Sequence, residues 1–207
     1  MLAKPGLRER KKRQRLQRII SVSRQLFTSK GFQNTTIQDI AEEAGIGLGT
    51  LYLYANGKED LLVLVFRETL LQVTELAFDS VDPEDEVINQ LMGFFQGHID
   101  YHKEDRHLSR TVLKELSFPV NPQRRHDIEL IFNTAYDKLT QLLKRSIKQG
   151  KLSSKLYLGT AVTSIFGLFY HLLQGFLCDF FGEEEFKKNL RHALEMLLAQ
   201  SLTQNKS

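Results

Sequence analysis

Lys4, Arg8, Arg10, Lys11, Lys12, Arg13, Arg15 and Arg18 crowd the first eighteen residues, opposed there only by Glu9. Cations at this density attract a polyanion; the plain alternative is a solvated tail. The asymmetry runs further along the chain. Residues 1–58 hold 11 Lys/Arg against 4 Asp/Glu, net +7, and residues 59–207 hold 17 against 21, net −4, which together give the overall +3. A basic front on a neutral-to-acidic body points to a polyanion partner at one end, with nucleic acid the leading candidate.

Other residues with chemical potential are sparse. His98 and His102 stand four apart, the spacing at which two imidazoles on one helix face hold a metal. Tyr101, Asp105 and His107 are near, but no third ligand falls at a useful spacing, so polar pocket or surface residues are the plainer reading and no metal is assigned. His171 sits in an uncharged stretch and reads as a core, pocket or interface histidine. Cys178, the single cysteine, can form neither an intrachain disulfide nor a cysteine-only metal site, which fits a reducing, cytoplasmic setting. There is no Gly-rich phosphate loop, nucleophile elbow or paired-carboxylate pattern. An enzyme is not expected, nor is a cofactor.

The elements that must position these residues are helices. Hydrophobic residues make up 42% of the 207, enough for a packed core. Apolar residues recur at i, i+3, i+4 and i+7 rather than in alternation. Prolines stand only at 5, 83, 119 and 122. The pattern predicts an all-α chain of about nine helices: about 10–30, ended by Gly31; 37–44, capped by Thr35 or Thr36 and ended by Gly45; 48–54; 58–78; 82–103; 105–116; 123–149, closed by Gly150; 156–178; and 183–202. The 23-residue run Leu156–Cys178 carries no charge and is long enough to span a bilayer. Its Thr160, Thr163, Ser164, His171 and Gln174 favour a buried helix of a soluble protein, so no membrane partner is expected. There is no apolar segment of secretory type behind the basic N-terminus.

Three short helices at the front, with a tight Gly-containing turn before the third, match a helix-turn-helix, in which the third helix enters the major groove. The residues Arg18-Ile19-Ile20, Leu26-Phe27, Gly31-Phe32, Thr35 through Ile46, Gly49-Thr50-Leu51-Tyr52-Leu53-Tyr54 and Lys58-Glu59-Asp60-Leu61 resemble the N-terminal signature of TetR-family transcriptional regulators with unbroken spacing. The resemblance implies that Thr36 caps the second helix and that Gln38 touches DNA backbone or a base. It implies that Leu48, Gly49 and Thr50 open the recognition helix, that Tyr52 and Tyr54 meet phosphates or sugar edges, and that Lys58 meets a phosphate. Three positions depart from the family pattern. Gly47 and Leu48 stand where Ser and a polar residue are usual, and Ala55 where Phe is usual. Leu48 cannot make a bidentate base hydrogen bond but can pack on a thymine methyl.

The second half is rich in phenylalanine. Phe94, Phe95, His98, Phe132, Tyr136, Phe169, Tyr170 and Leu173 could together line an apolar cavity with a few polar groups, the usual look of a ligand site; taken singly, each reads as core. The helix over 156–178 is apolar nearly all round and needs cover on two sides. Gly159, Thr163, Ser164 and Gly167 would let a symmetry mate approach closely. The striped last helix, with Leu194 and Leu198, would complete the dimer interface.

The reading is a basic arm and helix-turn-helix over 1–58 and a helical effector-binding and dimerisation domain over 59–207. The expected protein is a cytoplasmic repressor that binds a palindromic double-stranded DNA operator as a homodimer and is released by a small apolar or aromatic effector. Its rivals are a metal-responsive or activating regulator of the same fold, and an architectural protein that binds DNA regardless of sequence.

Overall fold

The computed structural model describes residues 6–118 and 122–202. Among them are nine helices: α1 (Leu7–Ser29), α2 (Ile37–Glu43), α3 (Leu48–Leu51), α4 (Lys58–Asp79), α5 (Val87–Glu104), α6 (Arg106–Ser117), α7 (Pro122–Lys148), α8 (Leu158–Leu177) and α9 (Glu183–Leu198). No strand occurs among the described residues; Leu152 and Leu202 share an isolated antiparallel bridge.

α1 starts at Leu7, three residues before the expected Arg10, so the cluster Arg8–Arg15 rides on a helix instead of preceding it. Arg, Lys, Gln and Leu are all good helix formers, and this end needs no packing to hold it. Residues 7–15 are exposed, and burial begins with Ile19, Ile20, Ser23 and Phe27. Arg8 and Arg10 lie in the first turn, at the positive end of the helix dipole, and the cations behind them repel one another, a cost that a polyanion would reduce.

α2 begins with a full capping box. Thr36 Oγ1 accepts from the Asp39 amide at 3.0 Å, and Asp39 Oδ2 accepts from the Thr36 amide at 2.7 Å. Lys30 Nζ adds a 2.7 Å ion pair to the same oxygen. These hydrogen bonds, Lys30's foremost and then that of the Thr36 amide, hold the Asp39 carboxyl down at about 2. A carboxyl whose folded value lies below its unfolded one stabilises the fold above the unfolded value, near 4, and ceases to do so as pH falls through the folded value. Helix loss between about pH 4 and 2 should therefore include a component absent from Asp39→Asn. Circular dichroism titrations that superimpose for the two proteins would refute it. The turn after α2 requires Gly45, whose φ is +64°; an L side chain there would be strained, and its Cβ would also press on the Arg18 guanidinium at 3.3 Å.

Two apolar clusters result. One unites α1–α3 with the first half of α4 and with Leu108, Val112 and Leu116 of α6 and Ile128 and Ile131 of α7. The other gathers α5, the rest of α7, α8 and α9 around Phe94, Phe95, Phe169 and Phe186. α4 belongs to both, through Leu61–Leu70 in the first and Ala77 in the second. α5 starts five residues later than expected because Asp82-Pro83-Glu84-Asp85 forms a turn. There the Asp82 carboxylate accepts from the Glu84 amide at 2.9 Å, and the Gln90 side chain donates to the carbonyls of Pro83 and Asp85.

α8 has a mean hydropathy of 1.3 over its best window and is long enough to cross a membrane. Its burial is one-sided. Ala161, Val162, Ile165, Phe169, Leu173 and Phe176 face the core, while Gly159, Thr160, Thr163, Gly167 and His171 are exposed. The last helix corrects the expected interface. Leu194 and Leu198 are 0% exposed. With Phe186 and Leu190 they form the stripe that packs α9 onto its own subunit, so neither is available to a partner. What α9 presents outward includes Met196, 68% exposed, and Leu197.

Candidate DNA-reading surface and internal cavity

The residues expected at DNA gather on one end. Gln38, Leu48, Gly49 and Tyr52 are exposed and Thr50 and Tyr54 are half-buried. Thr36 is exposed too, but its hydroxyl is held by the capping box. α3 lacks a side-chain cap at Gly47 and closes on Tyr52, whose amide bonds to the Leu48 carbonyl. Leu51, 0% exposed, anchors the helix to the core beside Ala55, 4% exposed. Leu48 therefore faces solvent, at 39%, and is not part of the core. Sequence reasoning missed Leu53, which at 82% is the most exposed apolar side chain of this surface. Its place two residues after the buried Leu51, opposite on the backbone turn, was the available signal.

Lys58 has a different post from the expected one. Its ammonium donates to the carbonyls of Phe32, Gln33 and Thr35 at 2.9, 3.2 and 3.3 Å and sits 4.6 Å from the Phe32 ring centroid. All three ammonium protons are engaged, and the side chain ties α4 to the loop between α1 and α2. Lys58→Ala should cost about 1–3 kcal/mol of stability by orphaning those carbonyls and should leave the salt dependence of DNA binding unchanged. A salt slope reduced by about 1 would instead make Lys58 a phosphate contact.

Behind the reading surface lies a buried ion cluster. Arg124 of α7 donates from Nε to Asp60 Oδ1 at 2.8 Å and pairs through Nη1 with Glu115 of α6 at 2.6 Å. Asp60 Oδ2 accepts from the amide and side chain of Asn56, at 3.0 and 3.1 Å. Asn56 lies in the turn that leads from α3 to α4, so one guanidinium joins α6, α7 and the exit of the recognition helix. Arg67 of α4 pairs with Asp127 of α7 alongside.

The second site is internal. A cavity of about 40 Å³ lies among α4–α8. Of the expected residues, His98, Phe132, Phe169, Tyr170 and Leu173 line it. Phe94 and Phe95 do not; both are 0% exposed, and Phe95 stacks behind Phe169 at 4.3 Å between centroids. Tyr136 stands outside too, edge-on to Phe166 at 5.0 Å. Phe166 and His102 are lining residues that the cavity reading left out; Phe166 is one turn before Tyr170 on the same face, a signal that was present.

Both histidines are held neutral. Burial brings His98 down to about 4, and burial with the neighbouring His98 brings His102 down to about 3. His102 Nδ1 meets Ser109 Oγ at 3.1 Å. His98 Nε2 is buried with no hydrogen-bond partner among the described residues, an unusual and costly state for a ring nitrogen. No group of three His, Cys, Asp or Glu among the described residues could hold a metal. The cavity thus has largely apolar walls, and the neutral His98 is among its lining residues.

Residues 19–65 match the family described as "Bacterial regulatory proteins, tetR family". This N-terminal segment is of the TetR type. Similarity to known proteins continues along most of the chain. It is 26% identical over 158 residues to the "Fatty acid metabolism regulator protein" of Bacillus subtilis (strain 168), which covers 76% of this chain and 81% of that one. Its fold is that of FadR from Thermus thermophilus, solved in complex with lauroyl-CoA, with a TM-score of 0.73 and 23% identity over 92% of this chain and 96% of that one. It is also that of Bacillus subtilis FadR in complex with stearoyl-CoA, with a TM-score of 0.67 and 23% identity over 88% and 97%.

Proposed function

We propose that this chain is a cytoplasmic TetR-family repressor that binds a palindromic operator as a homodimer and is released by an effector with a long apolar chain, of the acyl-thioester class that its FadR relatives bind. Residues 1–58 contact DNA, with Leu48, Gly49, Thr50 and Leu53 at base edges and Gln38, Tyr52, Tyr54 and the basic face of α1 at the backbone. Residues 59–207 hold the effector and pair the subunits. The observation that carries the reading is the aromatic cavity lined by His98, whose Nε2 is buried without a partner among the described residues. A carbonyl or hydroxyl on an otherwise apolar ligand would satisfy that nitrogen without bringing in a charge.

The cavity volume supports a mechanism by expansion. About 40 Å³ holds a few waters at most, far too little for a long chain. An acyl group must displace the rings of Phe132, Phe166 and Tyr170 and so moves α7 against α6 and α8. Arg124 spans α6, α7 and the turn after the recognition helix, so this expansion disturbs the seating of α3. The effector lowers operator affinity by its preference for the expanded state, and by no more than that preference.

The test is fluorescence anisotropy on an operator taken from a genomic binding map, titrated with lauroyl-CoA and stearoyl-CoA. Release of DNA by either, with a raised melting temperature for the free protein, supports the proposal. If both leave operator binding and melting unchanged, the effector class is wrong. Equal affinity for operator and random DNA would favour the architectural reading.

A further inference from the structure

We infer that the charged head of the effector rests outside the cavity, in a cationic groove between α6 and α8, and that its tail enters past the Tyr170–Ser117 hydrogen bond. This rests on the apolar-chain reading above and adds where the head binds and how the tail enters.

A groove of about 440 Å³ runs along the C-terminal halves of α6 and α8 and reaches the segment before α9. Its rim includes Arg110, Lys114, Phe118, His171, Phe180 and Phe181. Phe118 and Phe180 are 80% and 81% exposed, so two large rings stand in water beside cations. Arg110 shares the Asp179 carboxylate with Arg106, leaving positive charge in excess there. Lys114 is exposed, and no ion pair among the described residues holds it. Aromatic faces beside ammonium and guanidinium groups suit the phosphates and ring of a nucleotide-like head.

The groove and the cavity share a wall. Leu113 lines both. Tyr170 lines the cavity and Ser117 the groove, and their hydroxyls meet at 3.0 Å. Ser117 Oγ donates to the Leu113 carbonyl at 2.8 Å, and Tyr170 Oη lies 3.3 Å from that same oxygen. The Tyr170 hydroxyl, shared between Ser117 Oγ and the Leu113 carbonyl, latches α8 to the last turn of α6. Burial pushes the Tyr170 phenol up, so it remains a neutral donor. Rotation of the Tyr170 ring breaks the latch and joins the two spaces, giving a tail in the cavity a direct path to a head at Lys114.

Calorimetry with two probes tests this: lauroyl-CoA, which carries an anionic head, and dodecanol, which carries none. Lys114→Glu should weaken lauroyl-CoA by about tenfold or more, since reversal of a charge beside phosphates changes binding by at least one such step. It should leave dodecanol nearly unchanged, and the loss should shrink at high salt. Tyr170→Phe, which keeps the ring and removes the latch, should speed association of both probes. Equal loss for both probes, or no loss for either, overturns the head-group site. So does a change in sedimentation with Lys114→Glu, which would make the groove a subunit contact. Wild-type protein that binds dodecanol but not lauroyl-CoA keeps the apolar-chain reading and overturns this inference; binding of neither probe removes both.

Discussion

Arg124→Met should destabilise the protein by about 3–5 kcal/mol, the usual loss when one partner of a buried ion cluster is removed. For a chain of 207 residues that is a fall of roughly 6–20 °C in melting temperature. The size follows from what the substitution leaves behind. Arg124 is 8% exposed, and the side chains of Asp60 and Glu115 are 8% and 15% exposed. Without the guanidinium, the carboxylates of Asp60 and Glu115 lose the cation that pairs them in a poorly hydrated space. Methionine fills much the same volume, so packing loss contributes little. The variant should also bind operator more weakly than its stability explains, because Asp60 holds both polar groups of Asn56 at the exit of the recognition helix. Calorimetry gives the first quantity, and operator titration well below the melting temperature gives the second. A loss under about 1 kcal/mol would class the cluster with surface pairs, and unchanged operator affinity in the folded variant would remove it from the route between effector and DNA.

None of that cluster was legible in the sequence. Asp60 and Arg124 are 64 residues apart and Arg67 and Asp127 are 60 apart, and no periodicity links positions at such separations. What could be read was local. The capping box needs Thr36 and Asp39 three apart, and Gly31, Gly45 and Gly150 mark helix ends because each has positive φ. Where the sequence misled, the cause was that one pattern serves two ends. The stripe Phe186, Leu190, Leu194 and Leu198 is equally suited to a partner and to the subunit's own core, and the core has it. Lys58 carries the right charge for a phosphate, but its flexible stem also reaches three carbonyls of a neighbouring loop. The basic run before Leu16 lacks apolar periodicity, which conceals a helix that needs no buried face. The cavity was half legible: helical spacing on α8 found Phe169, Tyr170 and Leu173, but could not show that Phe94 and Phe95 lie one layer behind.

Gly167→Glu should convert the protein to a folded monomer that no longer holds a palindromic operator. The outer face of α8 is the basis. Gly159, Thr160, Thr163 and Gly167 are exposed along one side of a helix that carries no Asp, Glu, Lys or Arg. Small residues there permit close approach of a second helix, and an uncharged stripe on the surface of a regulator is suited to a two-fold partner. At Gly167 a Cβ would meet nothing within 4 Å in the subunit, and glutamate is a better helix former than glycine by roughly 0.5–1 kcal/mol. The isolated subunit therefore tolerates the change. In a two-fold interface the same change brings two unpaired carboxylates together out of water, at several kcal/mol. Each 1.4 kcal/mol is tenfold, so dimer affinity should fall by at least about a hundredfold. Operator affinity should fall with it, since one recognition helix reads a half-site alone. Sedimentation velocity at micromolar concentration, with circular dichroism to confirm helicity, reads the result. Leu194→Glu is the contrasting variant: at 0% exposure it should unfold the subunit, not separate the pair. A Gly167→Glu protein that sediments as the wild type does would place the subunit contact on another face, and the small-residue stripe of α8 would then be no more than solvent-facing helix.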